Sequence, residues 1–262
     1  MNRVFNIDPD ACKFTDKGER TSLKMEDSLP TWDDLPVLSV DPKELSKKRI
    51  VAHDSHRLDS EVFAVLRTKV MLEIQKHGWK RVAITSPTRG CGKSFVSANL
   101  AISMSHHPDL RTVLLDMDLR EPSLNNYFGI ETRHAISDAL TGKAKFHETL
   151  YRIGPRLAVG VGVNSVPNSG VILNSRATGE VINSIEECFK PDLILFDTPP
   201  INFLEDTLSL FSHTDAVILL LGGGITTQEE TETARNLIEE HSNLLGVVLN
   251  KSRDGDASKY RY

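Results

Sequence analysis

The chain has 262 residues, 39% hydrophobic and 26% charged, enough to bury the core of one good-sized domain with residues to spare. A formal charge of -5 and a pI near 6.0 supply no bulk attraction for nucleic acid or an anionic bilayer, so nucleic acid is not an expected partner. Cys12, Cys91 and Cys188 form neither a metal pattern nor an even disulfide framework, and no apolar run nears the roughly 20 residues of a bilayer span; a soluble, cytosolic chain is expected.

Residues 1–48 carry Pro9, Pro30, Pro36 and Pro42 among mixed charges with no sustained periodicity, which predicts a flexible or loosely packed arm. From His56, Leu58, Val62, Val65, Leu66 and Leu72 recur at helical spacing and Gly78 offers a stop, so one amphipathic helix is expected with those residues on its apolar face. Beyond it, short apolar runs alternate with helical patterns: RVAITS, a helix from Lys93 to about His106, RTVLLDMD, RLAVGVG, a helix over Ala177 to Phe189, DLILFDTPP, DAVILLLGG, a helix over Thr226 to His241, and LLGVVLN. Continuously apolar strands imply that both faces are covered. The predicted fold is α/β, a doubly wound, mainly parallel sheet flanked by helices over residues 49–252, with ligands at the carboxyl ends of its strands. Residues 253–262 form a short polar tail containing Tyr260 and Tyr262.

The run SPTRGCGKSF almost fits the phosphate-loop pattern G-x-x-x-x-G-K-[ST], with Pro87 where the first glycine should stand. The physical requirement is weaker than the pattern: backbone N–H groups must converge on an anion, and the closely approached positions are Gly90 and Gly92. Lys93 reaches the terminal phosphates, Ser94 suits Mg²⁺, and the following helix adds the positive end of its dipole. Two apolar strands then supply acids. Asp116 and Asp118 stand two apart at the end of one, so both carboxylates turn to one side, and Asp197 ends another. His53, His56, His106 and His107 have no metal-ligand spacing, and at Cys91 the backbone N–H is the expected contribution.

Together, SPTRGCGKS, VLLDMDLR and LILFDTPP resemble the Walker A, A′ and B motifs of the bacterial protein tyrosine kinases, the autokinases of capsule and exopolysaccharide production. The similarity runs from about Asp59 to Ser252, and it implies a P-loop fold with ATP and Mg²⁺ as cofactors. It implies an ATP site at Arg89, Gly90, Cys91, Gly92, Lys93, Ser94 and Phe95, with Asn250 at the adenine. Lys93 would neutralise the β- and γ-phosphates, Ser94 would bind Mg²⁺ directly, and Asp118 and Asp197 would act on the metal through water. Asp116 would accept the proton of the attacking tyrosine. Arg120 belongs to the motif without an assigned role. The resemblance further implies a homo-oligomer that phosphorylates tyrosines in neighbouring tails. A separate membrane polysaccharide co-polymerase or adaptor would recruit the cytoplasmic chain to the inner face of the membrane.

This sequence departs from the family pattern in two places. The tyrosine-rich C-terminus is reduced to Tyr260 and Tyr262, and the ring-forming Glu-x-x-Arg-x-x-Arg motif has Glu61 and Arg67 but Ala64 between them. The competing reading is a non-kinase ATP-switched protein, of the partition type or a polysaccharide-assembly regulator. The partition-type ATPases carry a signature lysine where this chain has Thr88.

Overall fold

The computed structural model describes residues 29–54, 58–201 and 204–252. Its centre is an eight-stranded sheet, β1 Val37–Leu38, β2 Arg81–Thr85, β3 Thr112–Asp116, β4 Leu150–Ile153, β5 Leu157–Gly160, β6 Leu193–Asp197, β7 Ala216–Gly222 and β8 Asn243–Asn250, in the order β1-β4-β5-β3-β6-β2-β7-β8. Every pairing is parallel except β4 with β5. The central strands β3 and β6 are buried at every residue, as expected for strands covered on both faces.

One face is covered by α2 Leu58–His77 and α3 Lys93–Ser105, packed over Val82, Ile84, Leu114 and Leu195. The opposite face is covered by α7 Arg176–Phe189, α8 Leu204–Phe211 and α9 Gln228–His241, over Ala83, Val113, Phe196 and Val217. Shorter helices are α1 Pro42–Lys47, α4 Leu124–Phe128, α5 Ile136–Leu140 and α6 Ser169–Leu173. Because β2, β3, β6, β7 and β8 run parallel, the loops that follow them gather at one end of the sheet.

Two expectations are corrected here. Residues 1–28 of the expected arm lie outside the described residues, but residues 31–48 carry defined elements packed on the sheet. A 3-10 turn at Trp32–Asp34 buries the indole, which donates through Nε1 to the Pro155 carbonyl at 3.0 Å and meets Phe189 edge-on at 6.3 Å. β1 then extends the sheet beside β4, and Asp41 caps α1 by accepting from the Lys43 N–H. The strap is fastened to α3 by Asn99, whose Oδ1 accepts from the Val51 and Ala52 N–H groups at 2.7 and 3.1 Å. Few apolar residues anchor this strap, and each finds its partner far away in sequence, so no local period marks it.

The second correction concerns α2. Phe63, Val70 and Ile74 are buried, whereas Val62, Val65 and Leu72, expected on the inner face, are 65%, 56% and 61% exposed. Apolar residues occur around most of this helix, and the face that wins is the one that meets α3, where Phe63 packs edge-on against Phe95 at 5.8 Å.

Candidate functional site

The turn after β2 is a strand-to-helix junction in which Gly90 and Gly92 hold φ of 80° and 95°, and Gly92 caps α3. Glycine is required at 92 twice over, since an added Cβ would also lie 2.4 Å from Asn250 Nδ2. Thr88, Cys91 and Thr226 lock the turn from beneath: the Cys91 thiol is buried, donates to the Thr88 carbonyl and lies 3.5 Å from Thr226 Oγ1. That side chain therefore belongs to the wall of the turn. Asn250 Nδ2 donates to the Cys91 carbonyl at 2.8 Å and Lys251 Nζ to the Gly90 carbonyl at 2.7 Å, so the end of β8 braces the loop. Phe95 gives its ring to α2 and retains a backbone N–H in the first turn of α3.

The carboxylates converge because the strands do. Asp116 and Asp197 are direct register partners across β3 and β6, and both are fully buried. Asp116 Oδ2 accepts from the Ser123 and Leu124 N–H groups, each at 3.0 Å, while its Oδ1 has no partner among the described residues. Asp197 Oδ1 accepts from Ser97 Oγ at 3.0 Å, Oδ2 has no partner among the described residues, and the Ser94 side chain favours the charged form of the same carboxyl. Burial, reinforced by the Asp197 charge, pushes Asp116 well above the ordinary carboxylate range. Burial pushes Asp197 up to about 6 against the pull of Lys93 and the two serines. Asp118, raised by burial and lowered by Lys93, accepts from the Glu121 N–H at 3.1 Å, with Lys93 Nζ 4.0 Å from its Oδ2.

Two buried carboxylate oxygens with no hydrogen-bond partner, on adjacent strands and beside a single nearly buried lysine, form an electron-rich cradle short of positive charge. An all-oxygen donor set of a hydroxyl and carboxylates fits Mg²⁺. Next to it, the glycine turn, the α3 N-terminus and Lys93 suit a polyphosphate.

The structure thus brings Gly90, Gly92, Lys93, Ser94, Asp116, Asp118, Asp197 and Asn250 to one end of the sheet. Arg89, at the rim, pairs with Glu121 at 2.9 Å across the mouth. Arg120 turns away from the cradle to Asp206 on α8. Glu61 and Arg67 lie on α2, outside this site; Arg67 donates to the Ser103 carbonyl at the end of α3 at 2.8 Å, a favourable place for a cation. Tyr260, Tyr262, His56 and Cys12 lie outside the described residues. Sequence reasoning missed Ser97, the Ser123 and Leu124 N–H groups, and Asp206. Ser97 was the accessible one, since it stands one turn after the phosphate-loop lysine and serine.

Residues 82–261 match the family model described as the CobQ/CobB/MinD/ParA nucleotide binding domain. The chain is 28% identical over 220 residues to the tyrosine-protein kinase YwqD of Bacillus subtilis, covering 83% of this chain and 92% of that protein. It is 33% identical over 205 residues to the putative tyrosine-protein kinase EpsB of Ralstonia solanacearum, covering 77% of this chain and 26% of that longer protein. The solved chimerical protein CapA2B2 superposes with a TM-score of 0.72 at 25% identity, over 83% of this chain and 95% of its own. Among the described residues, no helix is long and apolar enough to cross a membrane. The chain belongs to the CobQ/CobB/MinD/ParA nucleotide-binding family, and the relatives it resembles within it are bacterial tyrosine-protein kinases.

Proposed function

We propose that the chain is an ATP-dependent protein tyrosine autokinase of capsule or exopolysaccharide production. The observation that carries the reading is the buried Asp116–Asp197 pair, with one unpartnered oxygen each, beside Lys93 and the glycine turn. Gly90 to Ser94 cradle the β- and γ-phosphates through backbone N–H groups, and Lys93 neutralises them. Ser94, Asp118 and Asp197 would hold Mg²⁺, which when bound would supply charge that stabilises the transferring phosphoryl group. The tyrosine oxygen bonds to the γ-phosphorus, the bond to the β-phosphate bridging oxygen breaks, ADP leaves, and the hydroxyl proton passes to Asp116 Oδ1. Asp116 Oδ1, which has no hydrogen-bond partner among the described residues, is the atom left to take that proton.

Asp116 lies fully buried beside Pro122 and Gly162, where an added Cβ would stand 2.3 Å from the proline and 3.6 Å from the carboxyl carbon. The relatives' names support tyrosine as acceptor, and Tyr260 and Tyr262 are the proposed acceptors, presented by a neighbouring copy. Glu61 and Arg67 remain the proposed contacts between copies. The proposed place is the cytoplasm, at the inner face of the membrane, on a separate membrane co-polymerase. Incubating purified chain with labelled Mg-ATP and probing for phosphotyrosine tests the reading: the wild type incorporates label, and a folded Lys93→Ala variant does not. Equal nucleotide affinity and turnover in both proteins would remove Lys93 from the site and the reading with it.

A further inference from the structure

Arg120 ends the Asp-x-Asp-x-Arg run, yet its guanidinium does not face the carboxylate cradle. It grips Asp206 with both arms, Nε to Oδ2 and Nη2 to Oδ1, each at 2.8 Å. Asp206 is fully buried in the first turn of α8, and Ser169 Oγ adds a third bond to Oδ2 at 2.5 Å. The next residue, Thr207, donates to the Pro199 and Pro200 carbonyls at 3.4 and 3.1 Å, directly after Asp197. Adjacent residues of α8 therefore hold both loops of the site, the one carrying Asp118 and the one that leaves β6 after Asp197.

Stability alone is a poor account of this pair. Arg120 is 39% exposed, so only the Asp206 end of the pair is buried, and a bidentate arginine–carboxylate contact fixes orientation closely. Here the fixed group is the backbone two residues past Asp118. The loop is otherwise tied by Val166 N–H to the Leu119 carbonyl at 2.8 Å and Glu121 N–H to Asp118 itself. The segment also meets the Asp197 side at its root, where the Met117 N–H donates to the Asp197 carbonyl at 2.8 Å, and the Arg120–Asp206 contact adds a tie on the far side of Asp118.

We propose that Asp206 is a positioning residue for the metal–nucleotide site: through Arg120 it holds the Asp118 loop at a fixed distance from the Asp197 loop, so that both carboxylates address one cation. The inference rests on the nucleotide-site reading and not on the identity of the phosphate acceptor. Partners one shell beyond metal-directed groups commonly change metal affinity by about 10–100-fold when removed.

The test titrates Mg²⁺ into full-length chain with a fluorescent ADP, comparing wild type, Asp206→Asn, Arg120→Lys and the double variant Arg120→Ala/Asp206→Asn. In Asp206→Asn the half-saturating Mg²⁺ concentration should rise about tenfold or more, with ADP affinity at saturating Mg²⁺ held within about threefold. Arg120→Lys, which leaves Asp206 a cationic partner, should give a smaller rise. The double variant should be no worse than Asp206→Asn, because one linkage is broken in each. A lowered melting temperature with wild-type Mg²⁺ dependence in Asp206→Asn, or additive effects in the double variant, overturns the proposal. If Asp206→Asn fails to fold, wild-type Mg²⁺ dependence in Arg120→Lys overturns it equally. A wild type that binds Mg-ADP normally but labels no tyrosine would defeat the kinase reading and leave this titration decisive.

Discussion

Replacing Asp197 with Asn should make the metal-free, nucleotide-free protein more stable at neutral pH. In the folded chain Asp197 binds its proton more tightly than an exposed aspartate, at about 6 against 3.8. The folded state therefore holds more protons than the unfolded state between those values, so stability falls as pH rises from about 4 to 6 and is level above. At ~1.4 kcal/mol per tenfold change in proton affinity, the buried charge costs about 3 kcal/mol above pH 6. Sharing of that cost with Asp116 lowers what one substitution recovers to about 1–3 kcal/mol, or roughly 2–10 °C in melting temperature for a chain of this size. Asparagine keeps an acceptor for Ser97 and mimics the neutral acid. Calorimetry in EDTA at pH 5 and 7.5 should show the variant gaining on wild type only at the higher pH, with Mg-ADP reversing the order. A variant less stable than wild type by the same amount at both pH values would refute the reasoning, because the carboxylate would then be an ordinary satisfied buried group.

Gly92→Ala should lower ATP affinity at least tenfold by calorimetric titration, since alanine at φ 95° is strained by about 1–3 kcal/mol and its Cβ displaces Asn250 from the Cys91 carbonyl. For the tail, a Lys93→Ala chain mixed with an active chain lacking Tyr260 and Tyr262 should acquire label on its own Tyr260 and Tyr262. Label elsewhere alone would make the tail tyrosines passive.

The central sheet is legible because its strands are apolar on both faces and bounded by turn residues, so RVAIT, TVLLD, LILFD and AVILLLG announce themselves. The far edge is not. β4 reads Leu-Tyr-Arg-Ile and is only partly buried, while β1 is two residues long and pairs with a strand far along the chain. Local pattern also leaves the inward face of α2 undecided, because Val62 and Phe63 are equally apolar and only the position of α3 separates them. Within the site, Gly90 to Ser94 and the three acids follow from motif and strand ends. The Arg120–Asp206 contact spans 86 positions and sits in a helix with no marker. The buried state of Asp116 is likewise a product of the Ser123–Leu124 turn folding over it.

The most direct measurement is phosphotyrosine formation by Asp116→Asn chain set beside its affinity for Mg-ATP. Asparagine retains an acceptor for the Ser123 and Leu124 N–H groups but cannot take up a hydroxyl proton. The account predicts ATP affinity within about threefold of wild type and a loss of transfer of about 10²-fold or more. Transfer at the wild-type rate from a variant that binds ATP normally would contradict it.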